Sequence, residues 1–259
     1  MSTKLPARAG WHWIKQGWAL FRKQPGALMA LFFSCMFVSM FLMLVPVLGS
    51  IAMLVLMPIF SVALLQGCAE IDQGKRALPN LLLVGFQKPA RKHLLGLGGL
   101  NFLLLMLAAS VVYAISGDAM EALREAKAGM QPELLEGVLG GMLTGSAIYT
   151  IGWMLACMAA PLIFWQKLAL NKALFFSVVA VMRAVKAFAT AVVIQHVLNF
   201  ISIQIIALLL GRSQLAVAAI FTVFLISMVL MHCTLYAAYC QIFGPPQPLT
   251  PAPVDLDKG

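Results

Sequence analysis

Charged residues are scarce in this sequence, and acidic residues are the scarcest. Among 259 residues there are 9 Asp and Glu and 18 Lys and Arg, so that charged residues make up 10% of the chain while hydrophobic residues make up 62%. Soluble globular domains carry about 25% charged residues, because their surfaces must be solvated. The composition therefore excludes a soluble domain and indicates a polytopic membrane protein.

Patterns that carry common enzyme chemistry are also lacking. The five cysteines form no CxxC pair, and neither a Gly-x-Ser-x-Gly elbow nor an HExxH sequence occurs. A zinc site needs three or four ligands at suitable spacing, and an activated serine needs its elbow and a base. We therefore expect no bound metal, no cofactor and no enzymatic activity.

Long apolar runs dominate what is present. Six of them can each cross a hydrocarbon layer of about 30 Å as a helix rising about 1.5 Å per residue. They are residues 26–49, 50–68, 94–116, 137–164, 187–210 and 215–243. The prediction is an all-α fold with six transmembrane helices in a single membrane domain, 1–243, followed by a Pro-rich mobile tail, 244–259.

The basic residues indicate how these spans are oriented. Fifteen of the 18 Lys and Arg fall on one set of connecting segments, while the one long segment of the other set, 117–136, carries five of the 9 acids. Positive segments stay in the cytoplasm, so both termini are predicted to be cytoplasmic. Because these cations flank apolar spans, their expected partners are anionic lipids of the inner leaflet, and nucleic acid is not expected.

Residues 11–24 have the pattern of an amphipathic helix preceding the first span. Tryptophans and other apolar residues occupy one side, and cations the other. This pattern predicts a helix in the plane of the membrane surface, which either anchors the first span or senses lipid or docks a partner. The residues predicted to contact the lipid surface are Trp11, Trp13, Lys15, Trp18, Arg22 and Lys23.

A weak repeat follows the same pattern. Residues 17–25, 78–92 and 173–186 each place an apolar stretch and a basic cluster before an outward span and a returning span. Internal repeats of this kind are typical of pseudo-symmetric membrane bundles. The six spans are therefore predicted to form three pseudo-repeated hairpins, each preceded by an interfacial or amphipathic helix.

Several local motifs carry a family resemblance. They are Gly10-Trp11-x-Trp13-x-Lys15-Gln16-Gly17 with Phe21-Arg22-x-Gln24-Pro25, Gly85-Phe86, and Ala173-Leu174-Phe175-Phe176-Ser177 before Arg183. Most of the chain thereby resembles an uncharacterised family of six-helix inner-membrane proteins from betaproteobacteria, which implies a bacterial inner-membrane location. More distantly, it is similar to the membrane domain attached to some glycerophosphodiester phosphodiesterases. Catalysis there resides in a soluble domain, so the resemblance implies no catalytic residue here.

Polar side chains within the spans supply the candidate site. Such residues are costly in hydrocarbon and face a bundle interior or a cavity. One interpretation is a chamber open to the cytoplasm that binds a lipid headgroup or relays protons; the other is interhelical hydrogen bonding that fixes packing. The residues of this predicted chamber are Asn101, His196, Asn199, His232 and Tyr236.

A ridge of small residues begins the fourth span. Gly137, Gly141 and Gly145 recur every four residues, which allows another helix to approach closely. The ridge is predicted to pack either within the monomer or at a dimer interface.

Two functions remain open from the sequence. The first is a non-enzymatic accessory or scaffold protein that engages lipid or another membrane protein. The alternative is a small-molecule transporter or lipid-handling protein that uses the cytoplasm-facing chamber.

Overall fold

The computed structural model describes residues 5–125, 132–211 and 213–247, and within helices the side chains of 122–125 and 132–135 are excluded. Every regular element in this part of the chain is helical. The α-helices are α1 (Arg8–Lys23), α2 (Pro25–Leu42), α3 (Leu48–Asp72), α4 (Ala90–Glu125), α5 (Pro132–Ala156), α6 (Ala159–Trp165), α7 (Leu170–Arg183), α8 (Val185–Leu210) and α9 (Gln214–Phe243). A 3-10 helix, Pro79–Phe86, precedes α4.

Within the described residues, six stretches are long and apolar enough to cross a membrane, which confirms the predicted fold class. They are Pro25–Leu42, Leu48–Asp72, Ala90–Glu121, Glu136–Trp165, Val185–Leu210 and Gln214–Phe243. A shorter helix precedes each successive pair: α1 before α2 and α3, the 3-10 helix before α4 and α5, and α7 before α8 and α9.

The third span continues past its predicted end at residue 116. Helix α4 runs to Glu125, so Asp118 and Glu121 of the predicted acidic connection belong to this helix. Gly117 costs only about 1 kcal/mol relative to alanine inside a helix, and no proline follows it to end the helix. Residues 126–131 of the predicted acidic connection lie outside the described residues.

The fourth span is broken near its end, where the sequence predicts one continuous helix. Helix α5 ends at Ala156 and α6 begins at Ala159. Pro161 has no N–H to donate to the carbonyl four residues earlier, which favours a break at this position. The Ser177 hydroxyl of α7 donates to the Leu155 carbonyl at 2.6 Å and accepts from the Met158 N–H at 3.1 Å. A single buried hydroxyl therefore pairs backbone groups on both sides of the break.

The described residues form two compact units. The first contains Phe33–Ala63 and Leu82–Val185. In it α4 packs along α5, and α6 and α7 pack together and against these helices. A side chain at Gly141 would collide with Ser116, and one at Gly145 with Val112, so the predicted glycine ridge lies against α4. Gly137 also faces α4, 3.3 Å from the Ala119 Cβ if a Cβ is added.

The second unit contains Pro6–Phe32, Leu64–Leu81 and the described residues from Lys186 onward. Helix α1 packs along α9 in this unit. The approach is close at Gly17, where an added Cβ would lie 2.8 Å from the Thr234 backbone nitrogen. After α9, residues 244–247 are not helical; the rest of the predicted tail, 248–259, lies outside the described residues.

Candidate functional site

One serine joins two amide side chains in the second unit. The amides of Gln195 and Asn199, one helical turn apart on α8, donate to the Ser227 hydroxyl of α9 at 2.9 and 2.8 Å. Ser227 is buried, at 4% exposure. Its oxygen has two lone pairs and can accept both bonds. Asn199 of the predicted chamber is thus part of a hydrogen-bonded junction between α8 and α9.

The two histidines each bond to their own helix. The Nδ1 atoms of His196 and His232 lie 2.8 Å from the carbonyls of Val192 and Met228, each four residues earlier. Each contact satisfies a backbone carbonyl acceptor, so Nδ1 carries the proton and donates. The remaining ring nitrogen, Nε2, is then an acceptor. A direct pairing of the two histidines stays a prediction.

Tyr236 contacts an acidic residue that the sequence analysis did not select. Its hydroxyl donates to Asp72 Oδ2 at 3.1 Å, and Lys23 Nζ lies 3.5 Å from Asp72 Oδ1. Three helices, α1, α3 and α9, therefore meet at this carboxylate. The Lys23 and Asp72 side chains are 52% and 48% exposed, so their ion pair contributes only about 0–1 kcal/mol.

A second polar chain lies at the end of α3. The Gln66 amide donates to Glu70 at 2.9 Å, Glu70 pairs with Lys75 at 3.7 Å, and the Gln24 amide donates to the Lys75 carbonyl at 2.8 Å. The sequence prediction ended this span at residue 68, before Glu70 and Asp72. The four-residue spacing of Gln66 and Glu70, which suits a helical side-chain pair, was the available signal that α3 continues.

Two buried thiols lie in contact between α3 and α9. Cys68 on α3 and Cys233 on α9 are both fully buried, and their sulfur atoms lie 3.5 Å apart. This contact exceeds the S–S bond length of about 2.05 Å, and both thiols are free. Together with the Tyr236 and Asp72 contact, it holds the end of α3 against α9.

Asn101, the fifth predicted chamber residue, lies on α4 and belongs to the first unit. The other four chamber residues belong to the second unit. Asn101 and the other four residues are therefore described in different units, and a chamber shared by all five stays a prediction.

The residues predicted to contact the lipid surface differ in exposure. Trp11 and Trp18 are 40% and 47% exposed, and Lys15 Nζ lies 5.2 Å from the centre of the Trp11 ring, within cation–π range. Arg22 and Lys23 are also exposed. Trp13 does not fit the prediction, because it is 1% exposed. Its ring packs edge-on against Phe188 at 5.0 Å and its indole N–H donates to Gln241.

Metal-binding side chains are not clustered in the described part of the chain, where no three His, Cys, Asp or Glu residues are grouped as a metal ion requires. The polar contacts of the second unit instead join helices. They join α1, α3 and α9 at Asp72, and α8 to α9 at Ser227.

Comparison with known proteins supports the membrane assignment. A probable inner membrane protein of Burkholderia thailandensis is 31% identical over 260 aligned residues, which cover 96% of each sequence. No protein-family model matches the chain, and no solved structure matches it. The relative and the six candidate spans together indicate a multi-pass protein of the inner membrane, in contact with the lipid bilayer. The chain thus belongs to the same protein family as this Burkholderia inner-membrane protein.

Proposed function

We propose that the protein is a non-enzymatic accessory or scaffold component of the inner membrane that binds another membrane protein through one side of α8. In this proposal both termini face the cytoplasm, and α1 contacts anionic lipids of the inner leaflet through its cations. The distant resemblance to membrane domains of glycerophosphodiester phosphodiesterases is consistent with an accessory role, since those domains accompany a separate catalytic domain.

The exposed position of His196 carries this proposal. No residue in the most apolar part of α8 is buried, and His196 lies exposed within that stretch, near its beginning. An imidazole facing hydrocarbon is costly, so histidines in spans normally meet a polar partner. Its Nε2 atom has no partner among the described residues. A hydrogen-bond donor on a neighbouring transmembrane helix would satisfy it.

The surroundings of His196 suit a helix as the occupant. Val193, Phe200 and Ile203 lie on the same side of α8, at three, four and seven residues from His196, and all three are exposed. Ala189 and Ala207 lie on this side as well and are exposed. Small residues at both ends of an apolar stripe allow close helix packing, and a polar side chain at its centre sets the register.

Site-specific photocrosslinking in native membranes tests the proposal. A photoreactive phenylalanine analogue at Phe200 should give an adduct with a transmembrane helix of one partner, and His196→Leu should reduce its yield several-fold. The matched control is the same analogue at Phe37 on α2, which is 59% exposed compared with 61% for Phe200 and should react with lipid alone.

Three other outcomes are informative. Lipid adducts alone at both positions would contradict the proposal. A crosslinked product of twice the chain mass would show that the partner is a second copy of this chain and not another protein. The alternative transporter function predicts that a variant with both His196→Leu and His232→Leu folds normally but loses a specific flux, and that result would overturn the scaffold proposal.

A further inference from the structure

A cleft of about 480 Å³ lies between the first half of α1 and the end of α9 in the second unit. Its volume is within the range of about 300–1,000 Å³ typical of small-ligand sites. The lining residues are Pro6, Arg8, Ala9, His12, Gln16, Ala237, Cys240 and Gln241. None of them was selected by the sequence analysis as a site residue.

Hydrogen-bond donors line one side of this cleft. Arg8, His12 and Gln16 are four residues apart on α1, so they lie along one face of the helix. Arg8 makes no ion pair within the described part of the chain. Among the described residues, no carboxylate lines the cleft to balance the positive charge of Arg8.

The opposite side adds an oriented amide. Gln241 Oε1 accepts the indole N–H of Trp13, which is almost fully buried and holds the amide in place. The amide nitrogen of Gln241, with its two N–H groups, is therefore available to a ligand. Ala9 and Ala237, which are small and buried, lie in the lining, so a compact group can approach the donors.

The position of the cleft indicates which kind of anion it binds. Gln241 lies in the last turn of α9, the sixth candidate span, and α1 ends just before α2, the first span. Lipid headgroups lie at the level where spans end. A set of guanidinium, imidazole and amide donors without an acid suits a phosphate ester, since phosphate offers several oxygen acceptors to such groups.

We propose that this cleft binds the phosphate of a phospholipid headgroup, with Arg8 as its ion partner and His12, Gln16 and Gln241 as hydrogen-bond donors. The site involves α1 and α9 and does not depend on the proposed partner surface of α8. It also differs from the exposed tryptophans and cations predicted to hold α1 at the membrane surface, because its donors come from both α1 and α9 and converge on one cleft.

Lipid retention by the purified full chain tests this proposal. The chain is exchanged into neutral detergent, incubated with short-chain phosphatidylglycerol, and the bound lipid is measured by native mass spectrometry. The double variant Arg8→Gln with His12→Gln should weaken binding about tenfold or more, because a charge-assisted hydrogen bond contributes about 1.5–3 kcal/mol and 1.4 kcal/mol is tenfold.

Lys15→Gln is the matched control. It removes one charge from an exposed position on the same helix but outside the cleft, and it should leave binding within about twofold. Arg8→Lys, which keeps the charge, should retain part of the binding. Circular dichroism and gel filtration verify that every variant is folded.

A competition measurement distinguishes a lipid phosphate from a soluble phosphate compound. Competition by inorganic phosphate at millimolar concentration would identify a soluble phosphate compound as the ligand; no competition would identify the lipid. Equal loss in Lys15→Gln would show that bulk charge is responsible and would overturn the proposal, as would unchanged binding in the folded double variant.

Discussion

At the scale of single residues, the Ser177 hydroxyl has an unusual task. The break between α5 and α6 leaves the Met158 N–H and the Leu155 carbonyl without helical partners, and the Ser177 hydroxyl forms a hydrogen bond with each of them. Ser177 is completely buried. Inside a membrane no water can replace it, so an unpaired backbone group there costs more than at a surface.

Replacing this hydroxyl should destabilise the first unit. We expect Ser177→Ala to lower the free energy of unfolding by about 1–3 kcal/mol, because it leaves the Met158 N–H and the Leu155 carbonyl unsatisfied. Thermal unfolding in detergent measures the effect. Ser146→Ala is the control, since Ser146 is exposed and bonds only to carbonyls of its own helix. Equal stability of both variants would contradict this role.

The sequence predicts which polar residues belong to the candidate site, but it does not predict which residues they bond to. Polar residues inside apolar spans single out Asn199 and Tyr236 from the sequence alone. Their partners, Ser227 and Asp72, come from other helices, and contacts of that kind depend on packing that periodicity does not reveal. Asp72 was also missed because a short charged stretch at the end of a span resembles a loop.

At the scale of helices, the contact between α4 and α5 depends on which side of α5 meets its neighbour. A side chain at Gly141 would collide with Ser116, whereas one at Gly140 would meet nothing within 4 Å. The sequence predicts the small-residue ridge. It does not distinguish a partner within the chain from a second copy, because both present an apolar helix.

Two adjacent substitutions test this orientation. We expect Gly141→Leu to destabilise the chain by at least about 1–3 kcal/mol through overpacking, while Gly140→Leu has little effect. Both variants gain the same side chain in the same helix, so hydropathy and helix propensity are matched. Thermal stability in detergent distinguishes them, and equal losses would show that α5 faces α4 differently.

Helix α1 shows where amphipathicity is ambiguous. Its apolar face predicts a helix that lies on lipid, but the structure buries Trp13, Ile14 and Phe21 within the second unit. A hydrophobic stripe has the same pattern whether lipid or protein covers it. Gly10 and Gly17 on this face, which permit close approach of other helices, were the signal in favour of protein packing.

At the scale of the whole molecule, the charge distribution and the number of spans together predict the orientation of the chain in the membrane. Six candidate spans among the described residues, an even number, predict that the chain ends on the side on which it began. The excess of Lys and Arg on one set of connections then predicts that this side is the cytoplasm. Span number was predictable because each apolar run is long, while helix ends shifted by several residues because turn-forming signals within apolar sequence are weak.

Cysteine labelling in intact cells tests the orientation. In a background with the five native cysteines replaced by alanine, Lys127→Cys should react with a membrane-impermeant maleimide added outside. Lys258→Cys should react only after the cells are permeabilised. The reverse pattern would show that the basic segments face outwards, and labelling of both in intact cells would contradict the three spans that separate residues 127 and 258.

The broken fourth span also imposes an order on biosynthesis. Leu155 and Met158 leave the ribosome before Ser177, so this span can enter the membrane before the hydroxyl that pairs its backbone has emerged. Until α7 is synthesised and docks, water or the insertion machinery must solvate the break, since hydrocarbon offers no substitute. Completion of the fourth span therefore waits for a helix translated after it.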